Sequence, residues 1–119
     1  MVKSHKNLKV WQEAMNLASL VYEMSKTFPE DERYGLVSQM RRAAVSIPSN
    51  IAEGSARATK KDTIHFYVVA RASLSELDTQ LELCKMMQFV GESSFSALSQ
   101  KLDVVDSLLS GLIRFHKKM

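Results

Sequence analysis

The sequence predicts an all-α fold, an antiparallel up-down-up-down four-helix bundle, and three observations carry that expectation. Glycine and proline number only 4 and 2 in 119 residues, too few turn-formers to punctuate a sandwich or barrel of many short strands. Apolar residues recur at alternating three- and four-residue steps in four successive stretches, the period of helices with one buried face. The breaks between stretches are short, and short connections make neighbouring helices antiparallel. With 45% hydrophobic and 24% charged residues, the composition is globular rather than disordered, and the length suits a single domain, 1–119.

The first segment is expected over about residues 7–27. Val10, Ala14, Leu17, Val21, Met24 and Phe28 form one seam, and Trp11, Met15, Ala18 and Tyr22 form a second beside it. Two adjacent seams make an apolar arc wider than a simple two-helix contact requires. Phe28-Pro29 ends the segment, because a residue before proline is pushed out of the helical region.

The second segment is expected over about residues 30–57, with Pro29 leading in and Glu30, Asp31 and Glu32 at the positive end of the helix dipole. Val37, Met40, Ala44, Ile47 and Ile51 carry its seam. Pro48 interrupts it, either as a kink in one helix or as the break between two, the second capped by Asn50 with Glu53 three residues on. The apolar phase runs across Pro48 without resetting, which favours one kinked helix.

The third segment, about residues 60–90, opens on Thr59-Lys60-Lys61-Asp62, a capping-box pattern with aspartate in place of glutamate. Phe66, Ala70, Ser73, Leu77, Cys84 and Met87 lie along one seam, with Tyr67, Leu74 and Leu81 beside it, and Gly91 is the expected terminator. The fourth, about residues 94–117, begins at a Ser93-Ser94 cap. Phe95, Leu98, Leu102, Val105, Leu109 and Leu112 make the cleanest seam, widened by Leu108 and Ile113, and Lys117 and Lys118 suit the C-terminal dipole.

Cys84 is the sole cysteine, so no intrachain disulfide forms, and a reducing compartment is expected. The basic N-terminus has no apolar stretch behind it, unlike a signal peptide, and no apolar run approaches the roughly 18–20 residues that span a bilayer. The expected location is the cytoplasm.

Enzyme signatures are missing from the pattern. Gly35, Gly54, Gly91 and Gly111 are isolated, so no phosphate-cradling loop is present. Cys84 sits mid-helix on an apolar seam, as a small buried hydrophobe does. Asp62-x-x-His65 is the nearest approach to a bundle metal motif, but it occurs once and beside a helix cap. Neither catalysis, metal nor cofactor is expected.

Two polar stripes stand out instead. Arg42, Ser46, Ser49, Asn50, Glu53 and Arg57 share one side of the second segment, and Arg71, Ser75, Asp78 and Glu82 share one side of the third. Outer charges of this kind make a solvated face, but serine, asparagine and glutamate are poor choices for mere solvation. Ser46, Asn50, Glu53 and Arg71 are therefore candidates for contacts between helices or between subunits. Basic residues gather at Arg41 and Arg42, at Arg57, Lys60 and Lys61, and in a third, mobile group at Lys3, His5, Lys6 and Lys9. Arg41, Arg42, Arg57, Lys60 and Lys61 are candidate phosphate contacts, although short basic clusters also serve solubility alone. No interleaved aromatic platform or nucleic-acid-binding motif accompanies them.

Val10-Trp11-Gln12-Glu13-Ala14-Met15, Phe28-Pro29 and Tyr34-Gly35-Leu36 lead into a distinctive core. It runs Gln39-Met40-Arg41-Arg42-Ala43-Ala44-Val45-Ser46-Ile47-Pro48-Ser49-Asn50-Ile51-Ala52-Glu53-Gly54. This resembles the four-helix-bundle family named after proteins encoded in intervening sequences of bacterial 23S rRNA genes. Ala70-Arg71-Ala72-Ser73-Leu74, with Glu76-Leu77, also looks like that family's third helix, with Ala72 where glycine is frequent. The resemblance implies a continuous second helix and a homopentamer with five bundles around a channel. It also implies kinship with the accessory protein of diversity-generating retroelements, a basic pentamer that binds nucleic acid and a reverse transcriptase.

Two functional expectations follow. The first is a non-enzymatic homo-oligomer that binds RNA or DNA through basic surface without fine sequence readout. The second is a scaffold for a protein partner, with the charges serving solubility and subunit pairing. A balance of 16 basic against 13 acidic side chains, net +3, is a weak lean toward polyanions for one copy. Five copies at +3 carry +15, and repeated weak contacts add through avidity.

Overall fold

The four apolar seams wind into four α-helices in the computed structural model, which describes residues 1 and 3–119. These are α1 (Lys9–Ser25), α2 (Leu36–Ser55), α3 (Lys60–Met86) and α4 (Glu92–Lys118), with short 3-10 turns at Ser4–Asn7 and Glu30–Glu32. No strand occurs among the described residues. α1 and α3 each pack against both α2 and α4, so the four helices form a closed ring in which α1 lies diagonal to α3 and α2 to α4. The seams meet inside that ring. Leu17, Met40, Ile47, Ile51, Leu77, Val105 and Leu109 are fully buried there, and Leu98, Leu102 and Ile113 continue the α4 seam.

Each helix starts or stops a few residues from where the spacing places it, for local reasons. α1 ends at Ser25 rather than residue 27 because hydroxyls compete for its last carbonyls. Ser25 Oγ donates to the Tyr22 carbonyl and Thr27 Oγ1 to that of Met24, while the Lys26 and Phe28 amides make tight three-residue bonds. α1 also begins two residues late, because Leu8 is extended; Asn7 belongs to the preceding 3-10 turn. In that turn His5 lies edge-on to Trp11, with 5.3 Å between ring centres, and Gln12 Nε2 donates to the Lys6 carbonyl.

α2 begins at Leu36, not near residue 30. Pro29 is extended and the acidic residues after it form the separate 3-10 turn. Glu32 still serves the helix, since its carboxylate accepts the Leu36 amide at 3.2 Å. α2 then runs unbroken through the buried Pro48, as the continuous apolar phase implies. Beside the proline, Asn50 Nδ2 donates to the Ser46 carbonyl at 2.8 Å and to Ser46 Oγ at 3.0 Å, a side-chain tie across the turn the ring disturbs.

α3 starts where expected, with Thr59 Oγ1 accepting the Asp62 amide, but it stops at Met86 instead of reaching residue 90. Gln88 adopts a left-handed conformation, φ 62°, and the Phe89 and Gln88 amides close back onto the carbonyls of Cys84 and Lys85. This is a Schellman ending with glutamine in the usual glycine position. Met87, placed on the seam by spacing, is consequently exposed, while Phe89 packs on Phe28 with ring centres 5.4 Å apart. Gly91, expected to terminate α3, instead caps the start of α4 by accepting the Phe95 amide, so α4 begins at Glu92 ahead of the two serines.

At Gly54, α2 and α3 approach too closely to admit a side chain. A Cβ on Gly54 would lie 2.7 Å from the Tyr67 ring and 3.0 Å from the Thr63 carbonyl. Tyr67 is 2% exposed, and its hydroxyl meets Ser55 Oγ at 2.9 Å. Ala72, the departure from the resembled family, is exposed and therefore takes no part in that approach. Farther along the same pair, Ser46 meets Ser73 and Cys84 meets Met40, so residue numbers fall on α3 as they rise on α2. Between the neighbouring α1 and α4, Lys101 reaches Glu13 at 2.8 Å, and Lys9 adds a second cation at 3.3 Å.

Three outcomes follow for stability. Gly54→Ala lowers it by about 1–3 kcal/mol through overpacking against Tyr67, measured as a reduced denaturant midpoint. Gln88→Gly raises it by about 0.5–1 kcal/mol, relief of left-handed strain outweighing the added freedom of the unfolded chain. The Glu13 carboxyl is held below its ordinary range, first by the Lys101 hydrogen bond and then by Lys9. A depressed folded value means that the stabilisation is present above the ordinary glutamate range and lost as pH falls through the lowered one. The Tm gap between the protein and Glu13→Gln, measured by thermal scans, therefore closes as pH drops below about 4.

Candidate functional site

The five candidate phosphate contacts fall into two separate places. Arg41 and Arg42 sit in the second turn of α2, and Arg57 follows its last turn, roughly 24 Å away along the helix at 1.5 Å per residue. Arg41 is engaged internally: its Nε donates to Ser25 Oγ at 2.9 Å, its Nη2 reaches the Tyr22 carbonyl, and its guanidinium lies 4.6 Å from the centre of the Tyr22 ring. It secures the α1–α2 contact and is only partly available to a ligand. Arg42, its neighbour, is exposed.

Arg57, Lys60 and Lys61 stand together at the α2–α3 turn. Arg57 Nη2 bonds Glu53 at 2.7 Å while its guanidinium stacks 4.6 Å from the centre of the Phe66 ring. Lys60 Nζ donates to the Met119 carbonyl at 2.7 Å, and Lys61 is exposed. That lysine contact brings the end of α4, with Lys117 and Lys118, to the same end of the bundle. The Ser4–Asn7 turn arrives there too: Ser4, Arg57, Tyr67 and His116 line one pocket of about 300 Å³. Residues from four stretches of sequence thus converge on one basic end. Lys117 and Lys118 read in the sequence only as partners of the helix dipole. Their place at the same end of the bundle as Lys60 depends on how α4 lies against α3, which spacing does not encode.

The polar candidates divide as well. Ser46 and Ser73 share a hydrogen bond of 2.9 Å between α2 and α3, and Asn50 braces Ser46 within α2. Glu53 is occupied by Arg57 on its own helix. Arg71 is half-buried and meets no carboxylate among the described residues. Asp62 and His65, the metal-like pair, lie at the start of α3, with His65 edge-on to Phe66. Among the described residues no three histidine, cysteine or acidic side chains converge as metal ligands, and no helix is long and apolar enough to cross a membrane.

The sequence pattern of the 23S rRNA-intervening sequence protein family matches residues 6–111 of this chain. The chain belongs to that family. Its fold has a solved counterpart in a protein of unknown function from the S23 ribosomal protein family of Bacteroides thetaiotaomicron, determined at 1.70 Å. The two are 19% identical and superpose with a TM-score of 0.82, over 88% of this chain and 95% of that one. At that identity the likeness concerns the fold. No curated protein matches the chain.

In this family member the single cysteine is sealed in the core. Cys84 is fully buried with its Sγ 3.3 Å from Met40 Sδ, and burial pushes its thiol up to about 11, with the Glu32 charge adding to the effect. Because the thiolate is the reactive form, labelling in native buffer near pH 8 is expected to proceed only as fast as the protein unfolds. A disulfide reagent followed by absorbance checks this, and a fast native reaction contradicts it.

Proposed function

We propose that this protein is a non-enzymatic homo-oligomer, a pentamer of up-down-up-down bundles bent at Pro48, that binds RNA or DNA through one basic end. The observation that carries the reading is that Arg57, Lys60 and Lys61 share the end of the bundle where α4 finishes, with Lys60 bonded to Met119 and Arg57 lining a pocket with His116. Cations from separate stretches on one surface can neutralise successive phosphates, which fixes a strand without reading its bases. Arg57 stacked on Phe66 adds a flat, delocalised cation, the better form for phosphate and for base stacking. The family's name, taken from an intervening sequence of 23S rRNA, is compatible with an RNA ligand.

Assembly is supported by what the isolated chain leaves exposed. Of the second seam on α1, Met15 and Tyr22 remain 45% and 41% exposed, and on α2 Val45 is 43% exposed. A lone bundle does not need these apolar side chains on its outside. A cytoplasmic location agrees with the unpaired cysteine.

Mass in solution by light scattering is expected at five times that of one chain. Labelled single-stranded RNA and DNA of mixed sequence are expected to bind at low salt and dissociate as salt rises. Arg57→Ala/Lys61→Ala weakens binding similarly for all sequences, and flattens the log–log salt slope by roughly 0.7 for each phosphate that is no longer neutralised. An assembled protein that shifts neither nucleic acid at low salt refutes the binding role and favours a scaffold for a protein partner.

A further inference from the structure

The ring order of the helices puts the α1/α2 groove and the α3/α4 groove on opposite sides of the bundle. The two differ in chemistry. The α1/α2 groove, about 470 Å³, is lined by Arg33, Arg41 and Arg42 with Tyr22, Tyr34 and Val45. The α3/α4 groove, about 320 Å³, is lined by Asp78, Asp103 and Asp106 with Ser75 and Thr79.

Among the described residues the aspartates are unpaired within the chain, and on the other groove Arg42 is unpaired while Arg41 and Arg33 are partly engaged. None of the three aspartates has a cationic side chain within 4.0 Å among the described residues. Arg42 has no side-chain hydrogen bond or ion pair there either. Arg41 holds only neutral groups, and Arg33 reaches Glu30 at no better than 3.5 Å. Three carboxylates lining one groove repel one another, and an incoming arginine relieves that repulsion. The aspartates do not converge as metal ligands, so a cationic side chain suits the groove better than a divalent ion. On the other groove, the exposed Tyr22, Tyr34 and Val45 would lose water when covered.

We infer that the α1/α2 groove of one copy docks on the α3/α4 groove of the next, arginine against aspartate. This rests on the homo-oligomeric part of the function proposed above and supplies its interface. The docking surfaces are two different patches, so the contact is heterologous. Repeated by a rotation that closes, it makes a ring, and no copy is left with a free groove of either kind. Charge complementarity sets the register, and the apolar side chains between the charges exclude water.

The test compares the solution mass of the protein with that of Arg42→Glu, Asp106→Arg and the two combined in one chain, after circular dichroism confirms helicity. Each single reversal is expected to drop the mass to that of one chain, and the combination to restore it at low salt. If the protein assembles and both single variants keep its mass, the interface lies elsewhere and the inference fails while homo-oligomerisation stands. A protein that is monomeric throughout overturns both. Loss of nucleic-acid binding by Arg42→Glu with unchanged mass assigns that arginine to phosphate contact and also overturns the inference.

Cross-linking gives a reading that does not depend on charge reversal. Ser38 and Ser75 line the two grooves, so Ser38→Cys/Ser75→Cys treated with a short bis-maleimide is expected to give a ladder of covalent multimers. Either single variant is expected to give none. A covalent dimer from a single variant indicates like-to-like pairing of grooves and refutes the heterologous contact.

Discussion

The close approach of α2 to α3 is the constraint on which the rest of the structure depends. It is possible because Gly54 has no Cβ to meet the Tyr67 ring, and it is held by three side-chain pairs spaced along the helices: Ser55 with Tyr67, Ser46 with Ser73, and Met40 with Cys84. With that register set, the beginning of α3 and the end of α2 share one end of the bundle. α4 packs back on α3 and brings its last residues to the end of the bundle that holds Lys60, while Ser4 of the N-terminal turn lines a pocket there with Arg57 and His116. The basic end is therefore a by-product of one glycine-permitted approach. Prising the two helices apart would loosen the pocket and disperse the charges together.

Much of this was legible in the sequence, and the parts that were not share a cause. Helical seams depend on periodicity, a property of every residue in a segment, so Val37, Met40, Ala44, Ile47 and Ile51 identify the buried face of α2 across Pro48 without ambiguity. Helix ends depend on single hydrogen bonds. The hydroxyls of Ser25 and Thr27, the Glu32 carboxylate and the left-handed Gln88 each decide a boundary on margins of about 1 kcal/mol. Such margins are invisible to a pattern read over a whole segment. Gln88 is the clearest case, since glutamine gives no sign of the conformation it adopts and Gly91 three residues later gives a false one.

The candidate site shows the same division. Arg57, Lys60 and Lys61 are close in sequence and remain close in space, because a short turn cannot separate them. Arg41 and Arg42 look like an equivalent pair, but one helical step rotates a side chain by about 100°. Arg41 turns inward onto Ser25 and Tyr22 while Arg42 turns outward. The polar stripe on α2 divides likewise, with Ser46 and Asn50 used between and within helices and Glu53 used by Arg57. Its chemistry was readable in advance; its allocation required the neighbouring helix.

The gathering of cations at one end also gives the molecule a direction. Copies placed side by side by rotation about a common axis all point the same way, so their basic ends fall on a single rim and the opposite rim receives none. The two mouths of such an assembly would be chemically unlike, one carrying Arg57, Lys60 and Lys61 and the other the Glu30–Glu32 turn with Arg33 beside it. An individual chain at net +3 is barely cationic, but in an assembly of that kind one rim would gather the Arg57, Lys60 and Lys61 of every copy. Polarity of this kind, set by the fold of each copy, would make the assembly one-sided toward anything it binds.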